Sequence, residues 1–241
     1  MDIKLDLHIH SAASPDGRMT VHEIVSRAKA AGLNGAAICD HDAVYDGETD
    51  FRDFLLIPGA EFSTEYGHLL GLFLTGPVEG GDFAATAAAI RAQGGLAVLA
   101  HPFQRLRDPE KLAPLAQYLD GAEVWNGRAE RKNPRANAMA REFAEEHGLR
   151  FFAGSDAHLP EEIGNGVVSL EAAELTPECV KAALMSAPVA IGGKRGRSEC
   201  VAESQLTKLK KTGAGPRAYA KWTLFAAKCR AEDVLNSKGE K

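Results

Sequence analysis

The sequence predicts the α/β fold class, with a parallel sheet and helices packed against it. Short apolar runs typical of strands recur along the chain, and helical patterns separate several of them. Polar clusters follow many of the strand-like runs directly and precede the next helix. In barrel and open α/β folds, that edge of the sheet carries the active site. A length of 241 residues suits one such domain with a small appendage.

Eight apolar runs have the length and composition of strands. In the first, Ile3, Leu5, Leu7 and Ile9 alternate with polar residues, which is the period of a strand with two different faces. The runs cover residues 3–9, 35–39, 54–60, 68–74, 95–100, 121–125, 150–154 and 188–191.

Helix-start signals lie between several of these runs. Thr20 and Glu23 form a capping-box sequence, and the apolar face that follows ends before Gly32. Three further helices are predicted from residues typical of a helix start. Asp82 precedes a helix over 83–93, Pro134 begins one over 134–147, and Thr176-Pro177 begins one over 177–185.

The chain changes character after Gly192-Gly193. Residues 194–241 contain 12 Lys and Arg against 5 Asp and Glu, whereas the rest of the chain contains 16 against 28. Aromatic residues recur at helical spacing within 217–235, which predicts an amphipathic helix; a nucleic-acid or membrane element is the alternative. These positions are Tyr219, Trp222 and Phe225, followed by Cys229. We predict a main domain over 1–198 and a basic helical extension, docked on it, over 199–241.

Composition favours a cytoplasmic location. No apolar run approaches the ~20 residues that span a bilayer. The N-terminal residues lack the basic segment and apolar core of a signal peptide. The four cysteines show no CxxC spacing, so we interpret them as reduced thiols.

The chemistry is concentrated in histidines and carboxylates at predicted strand ends. His8 and His10 lie two residues apart on one strand face, which makes them a two-point clamp for a metal ion. A single such histidine is more often a hydrogen-bonded structural residue, but six of the chain's eight occupy these positions. Burying so many titratable groups together is costly unless a metal compensates their charge. The ligand set of nitrogen and oxygen favours Zn²⁺, Mn²⁺ or Fe²⁺, and its size implies at least two ions.

Six motifs occur in a characteristic order: DLHIHS, DHD, PGAE, HLLG, AHP and GSDAH. Over residues 1–198 the chain resembles the polymerase-and-histidinol-phosphatase (PHP) family of metal-dependent phosphoesterases. The resemblance implies a distorted (β/α)₇ barrel of the PHP type, with a trinuclear centre at the C-terminal ends of the strands. It implies one ion held by His8, His10, Glu61 and Asp156, a second by Glu61, His68 and His101, and a third by Asp16, His41 and His158.

The implied reaction is hydrolysis by a metal-activated hydroxide, held by Glu61, His101 and Asp156, with no covalent enzyme intermediate. Phosphate also calls for arginine, whose fork geometry suits its oxygens. Arg128 and Arg195 are the leading candidates for substrate binding, because their segments also resemble family patterns. The other candidates are Arg18, Arg105 and Arg197.

Further polar residues have weaker assignments. Asp40 and Asp42 could orient His41 or another ligand, and Asp42 could instead cap the next segment. Glu123 could line the cleft or serve its own strand. Only nineteen residues separate His41 from Glu61, fewer than in many relatives, so we expect no substrate-covering cap from this segment.

Several functions fit these observations. The leading hypothesis is hydrolysis of a small phosphate ester, a nucleotide or another phosphorylated metabolite, with two or three divalent ions (Zn, Mn or Fe). Histidinol-phosphate phosphatase and oligonucleotide phosphodiesterase or nuclease are enzyme alternatives, and a structural or regulatory PHP module is the non-enzyme alternative. The expected partner is a small phosphorylated substrate, with nucleic acid more weakly indicated by the basic extension and no membrane partner expected.

Overall fold

A computed structural model describes residues 1–105 and 108–239, with side chains through residue 230. Its strands are β1 (Asp2–Ile9), β2 (Gly35–Ile38), β3 (Asp50–Phe51), β4 (Phe54–Thr64), β5 (Gly67–Leu72), β6 (Leu96–Leu99), β7 (Gly121–Asn126), β8 (Arg150–Gly154), β9 (Gly166–Glu171) and β10 (Val189–Gly193). Its helices are α1 (Val21–Ala30), α2 (Phe83–Ala92), α3 (Pro109–Leu112), α4 (Gly127–Lys132), α5 (Ala136–Glu146), α6 (Pro177–Ser186), α7 (Ser198–Thr212) and α8 (Pro216–Gly239). Short 3₁₀ helices cover Ala113–Tyr118 and Pro160–Glu162.

The sheet is a nearly closed barrel with the strand order β10-β9-β1-β2-β4-β5-β6-β7-β8. The barrel closes between the end of β1 and the segment that follows β8. There the backbone N–H of His10 donates to the carbonyl of Ala157 at 2.8 Å, and that of Asp156 donates to the carbonyl of His8 at 2.8 Å. This closure confirms the predicted α/β class and distorted barrel, and a helical region follows at the C-terminus.

The sheet is mixed rather than parallel. β1, β2 and β4 run parallel, as do β6, β7 and β8, but β5 is antiparallel to both of its neighbours. Only Glu65 and Tyr66 separate β4 from β5, which leaves no room for a crossover helix and forces a hairpin. β9 and β10 add an antiparallel pair beyond β1. The expectation of a parallel sheet therefore holds for two groups of strands and is wrong for the others.

A bulge near the end of β1 changes which side chains face the barrel interior. Ile3, Leu5 and Leu7 pack in the interior apolar cluster, whereas Ile9 packs in a separate cluster with residues of α1. The pairing of β1 with β2 shifts register between Asp6 and Ile9. Bulges of this kind re-aim side chains next to active sites. From the strand period alone, Ile9 would be expected on the same face as Leu5 and Leu7.

The predicted helix starts are confirmed in α1, α2 and α6. In α1, Thr20 and Glu23 form both hydrogen bonds of the capping box. Asp82 accepts from the N–H of Ala85, and Thr176 accepts from that of Cys179. β3, β9, α3 and α4 were not predicted.

The predicted extension corresponds to α7 and α8. Gly213, with a left-handed φ of 69°, ends α7, and α8 begins at Pro216. Residues 240–241 of the predicted extension lie outside the described residues, and the boundary at residue 198 remains a prediction. No helix in the described part of the chain is both long enough and apolar enough to cross a bilayer.

Replacement of Gly154 by alanine is expected to destabilise the barrel where it closes. A Cβ at this position would lie 2.2 Å from the Cβ of His8 and 2.8 Å from its backbone nitrogen. Overpacking of this kind costs roughly 1–3 kcal/mol, and backbone leaves little room to relax. Urea unfolding measures the loss. Gly192→Ala is the control, since no heavy atom lies within 4 Å of its Cβ position. Equal stability of the two variants would contradict the packing argument.

Candidate metal centre

The Nε2 atoms of His8 and His10 lie 3.1 Å apart, and both residues are fully buried. The Nδ1 of His8 lies 2.9 Å from a carboxylate oxygen of Glu123. The Nδ1 of His10 lies 3.0 Å from the Oγ of Ser14, whose own hydroxyl donates to Asp40 at 2.6 Å. These partners hold the proton of each neutral ring on Nδ1. Two lone pairs then face each other on the Nε2 atoms, an arrangement that a cation between them stabilises.

Glu61, on β4, is the central carboxylate of the site and is 1% exposed. One of its oxygens lies 2.7 Å from Nδ1 of His68 and 2.9 Å from Nε2 of His101. Its other oxygen lies 2.9 Å from Nδ1 of His41. Burial alone would raise the pKa of Glu61, but the surrounding histidines hold it well below its ordinary value. A carboxylate with imidazoles at both oxygens is placed to bridge two ions.

Asp16 brings a third part of the site together. Its Oδ1 lies 3.4 Å from Nε2 of His41 and 3.3 Å from Nε2 of His158. The Nδ1 of His158 is 2.9 Å from the backbone carbonyl of Asp156, which fixes the proton of the neutral ring there and leaves a lone pair toward Asp16. The Oδ1 of Asp16 is buried and has no hydrogen-bond partner. Such an orphaned oxygen fits a metal ligand.

The carboxylates and the histidines of the site stabilise each other's charges. Although burial alone would lower it, the Asp16 and Glu61 carboxylates raise the pKa of His41 to about 10. The pKa of Asp156 is held far below its ordinary value by the histidines around it, against the effect of burial. Both shifts mean that the carboxylates stabilise positive charge among them.

Two ligands are held in an uncommon backbone conformation. His101 has a φ of 28° and Asp156 a φ of 58°, in the region that disfavours residues with a Cβ. The N–H of His101 donates to Glu123 at 2.8 Å, and that of Asp156 donates to the carbonyl of His8 at 2.8 Å. Strain of this kind costs on the order of 1–3 kcal/mol and persists where neighbouring contacts enforce it.

All nine ligands that the sequence resemblance implied lie in one cluster, and the donor set fits divalent ions. Three groups have ligand atoms within 4.8 Å of one another: His8, His10 and Asp156; His8, Glu61 and His101; and His10, His41 and His158. The second group contains His8 where the resemblance implies His68, and the third contains His10 where it implies Asp16. Which ligands belong to which ion therefore stays a prediction, as do the number and identity of the ions.

Three residues support the predicted ligands: Glu123, Ser14 and Asp40. Glu123 orients His8 and also accepts from the N–H of His101, so it supports two ligands rather than only its own strand. Asp40 supports His10 through the hydroxyl of Ser14, so the ligand that it orients is His10 rather than His41. A carboxylate in the middle of an apolar strand, as in β7, is the one sequence signal that could have identified Glu123.

A cavity of about 600 Å³ opens above the ligands. Of the five predicted substrate-binding arginines, Arg105 and Arg128 line it. Arg128 is buried, its Nε and one terminal nitrogen donating to Glu162 and the other to Ser204. The remaining three are exposed and contact other groups: Arg18 pairs with Glu203, Arg195 donates to the carbonyl of Arg131, and Arg197 pairs with Glu199. The substrate-binding roles remain predictions.

Several lining residues were not predicted at all. α4 contributes Arg131 and Lys132, and α7 and α8 contribute Val201, Gln205, Lys208 and Trp222. The short segment between His41 and Glu61 contributes only Asp42, in keeping with the expectation that it forms no cap. The wall that a cap would form comes instead from the C-terminal helices.

α7 is attached directly to the loop that carries Asp16. The ammonium of Lys211 donates to the carbonyls of Ala12, Ser14 and Gly17 at 2.7, 2.8 and 2.7 Å. These three bonds use all three donors of the side chain. The C-terminal helix thereby fixes a loop that holds one metal ligand and the hydroxyl that orients another.

Comparisons with known proteins agree with this geometry. The family model of the PHP domain matches residues 6–100, and that of the PHP-associated region matches residues 134–187. An uncharacterized protein of Methanocaldococcus jannaschii is 33% identical over 179 residues, which cover 69% of this chain and 70% of the relative. A 5′-3′ exoribonuclease of Haemophilus influenzae is 41% identical over 81 residues, 30% of this chain and 29% of that protein.

A solved structure shares the fold. It is a two-domain protein of Bacteroides vulgatus containing a predicted PHP-like metal-dependent phosphoesterase. The TM-score is 0.64 at 22% sequence identity, and the match covers 85% of this chain and 69% of that chain. At this identity the likeness establishes the barrel and not the activity.

Glu123→Gln is expected to weaken metal binding by roughly 10- to 100-fold, as found for residues that orient metal-binding histidines. The amide keeps the shape but removes the charge that holds the proton on Nδ1 of His8. Competition with a chelator, followed by metal analysis, measures the change. Glu146→Gln, at the exposed end of α5, is the control. A metal affinity equal to that of the control would show that Glu123 does not support the ligands.

Lys211→Met is expected to lower metal affinity by about tenfold, because the loop of Asp16 loses its attachment to α7. Metal stoichiometry after dialysis against a weak chelator measures the loss. Lys210→Met is the control, because it removes the same charge from an exposed neighbouring position on the same helix. If both variants retain the metal content of the unmodified protein, the attachment has no influence on the centre.

Proposed function

The chain belongs to the PHP family of metal-dependent phosphoesterases, and we propose that it hydrolyses a small phosphate ester at a centre of two or three divalent ions. The observation that carries the proposal is the convergence of nine ligands around the buried Glu61, with the unpartnered oxygen of Asp16 among them. Zn²⁺, Mn²⁺ and Fe²⁺ suit these nitrogen and oxygen donors. A cytoplasmic location is proposed on the sequence grounds given above.

When bound, such ions lower the pKa of a bound water molecule and neutralise the charge of the phosphoryl oxygens. The chain's own residues do the rest. Glu61, His101 and Asp156 converge at the cavity floor, where Nε2 of His101 lies 2.9 Å from Glu61 and 4.0 Å from Asp156. We propose that the attacking water is held beside these three side chains. Glu123 keeps His8 and His101 in place during the reaction.

The cationic wall of the cavity suits the phosphoryl group and the rest of the ester. Arg105, Arg128, Arg131, Lys132 and Lys208 lie along it. Because Glu162 engages two nitrogens of Arg128, that guanidinium is fixed in position before substrate arrives. Its donors are then preorganised, which avoids the cost of ordering them on binding.

A second candidate function is cleavage of RNA or an oligonucleotide. The match to a 5′-3′ exoribonuclease favours it, together with the basic residues of the cavity wall. Histidinol-phosphate hydrolysis would use the same ligands with a different pocket. A purely structural role is disfavoured, since all nine ligand positions hold competent residues.

With Mn²⁺ or Zn²⁺, the protein is expected to hydrolyse at least one member of a panel of mononucleotides, cyclic nucleotides, short oligonucleotides and histidinol phosphate, giving phosphate from a monoester or a phosphomonoester from a diester. Chelation should abolish the activity, and His101→Ala should lower kcat at least about 100-fold, because a ligand at the reacting position is lost. Exposed His22, replaced by Ala, is the control. A folded, metal-loaded protein that cleaves no member of the panel would refute the proposal.

The same panel separates the second candidate from the first. A nuclease that contacts several phosphates should lose oligonucleotide affinity steeply as salt rises, because bound counterions are released. Mononucleotide hydrolysis with no oligonucleotide cleavage would favour the small ester.

A further inference from the structure

The C-terminal helices form a fixed wall of the substrate cavity. Besides the contacts of Lys211, one guanidinium nitrogen of Arg128 donates to Ser204 at 3.2 Å, and Arg131 donates to Ser198 at 3.1 Å. Both arginines lie on α4 and both serines on α7. α7 is therefore held at two places along its length and again at its C-terminal end. Its inner side chains, Gln205 and Lys208, keep a defined position in the cavity.

α8 packs on α7. Among the described side chains of α8, Ala226 and Cys229 are buried, at 6% and 2% exposure, and Cys200 and Ala202 are buried on α7. Arg230 of α8 also pairs with Glu199 of α7.

Trp222 of α8 is half-buried and lines the metal cavity. Among the described lining residues it alone carries an aromatic ring other than imidazole. Phe225 packs edge-on against it, with ring centres 5.6 Å apart and an interplanar angle of 86°, and Lys221 lies 5.6 Å from its centre. The indole is thereby held in one orientation beside the cavity.

The cavity thus combines three kinds of surface. The metal ligands form its floor, five Arg and Lys residues lie along its wall, and one aromatic ring stands at the helical side. Gln104 and Gln205 add amides, which offer both donors and acceptors to the edge of a heterocycle. The volume of about 600 Å³ falls within the roughly 300–1,000 Å³ typical of small-molecule sites.

We propose that Trp222 is the stacking surface for a nucleobase and that the substrate is a mononucleotide. This inference rests on the proposed function and narrows it to one class of ester. The phosphate lies toward the metal ligands and the base lies toward α8. Stacking suits any base, because every base presents an aromatic face, whereas sugar phosphates and aliphatic phosphates present no aromatic face to the indole.

The test compares AMP with ribose 5-phosphate, which differ by the base. Stacking on an aromatic side chain is lost on replacement by alanine at a cost that corresponds to roughly 5- to 150-fold. We expect Trp222→Ala to lower the ratio of kcat/KM for AMP to that for ribose 5-phosphate by about tenfold or more. Trp222→Phe should keep most of the ratio. Leu224→Ala, 76% exposed on the same helix, is the control and should leave the ratio unchanged.

A ratio that does not change in Trp222→Ala would overturn the inference, whether both activities fall together or neither falls. If the alanine variant does not fold, Trp222→Leu keeps apolar bulk without the ring, and the same fall in ratio is expected. An oligonucleotide that the enzyme cleaves in preference to AMP would overturn the assignment to a mononucleotide.

Failure of the proposed function gives a different result. In that case the metal-loaded protein cleaves neither ester, and calorimetric titration with AMP tests the stacking surface without turnover. AMP affinity at least about tenfold weaker in Trp222→Leu supports the inference. Equal affinity for AMP in Trp222→Leu and in the unmodified protein overturns the inference.

Discussion

The burial of the Glu61 carboxylate among imidazoles is the interaction on which the rest of the structure depends. A 1% exposed carboxylate is costly to bury, and the neighbouring carboxylates of Asp16 and Asp156 add to that cost. The histidines around them offset part of it, and divalent ions would offset more. The fold meets this constraint by ending its strands at one rim, where ligands from β1, β4 and the loops after β6 and β8 converge.

Buried carboxylates also hold the ligand-bearing loops in position. Asp6 accepts from the N–H groups of Ser155 and Gly164, at 2.9 and 2.8 Å, and so joins β1 to the segment that carries Asp156. Burial raises the pKa of Asp6 to about 6, although these hydrogen bonds favour its charged form. Asp40 does the same for the loop of Ser11 and Ser14. The structure uses carboxylates as connectors between backbone segments as well as ligands.

The sequence predicted the α/β class from local apolar patterns, whereas the barrel and the ligand set were expected from the resemblance to the PHP family. Apolar periodicity locates strands, and His101 or Asp156 is conspicuous directly after one. Other features depend on contacts between distant segments. The bulge that separates Ile9 from Leu7 follows from pairing with β2, and the role of Glu123 follows from its distance to His8. Trp222 has helical spacing whether it lies in a core or beside a cavity, so sequence alone could not assign it.

The three hydrogen bonds of Lys211 have a consequence for the order in which the protein is made. They connect a side chain near the end of α7 to carbonyls that lie up to 199 positions earlier in the chain. Translation proceeds from the N-terminus, so the loop of Asp16 leaves the ribosome long before the residue that fixes it. Until α7 has also emerged, a nascent chain has its ligands without their final support. The support that α7 gives to this predicted ligand is therefore complete only after β1 to β10 have been translated.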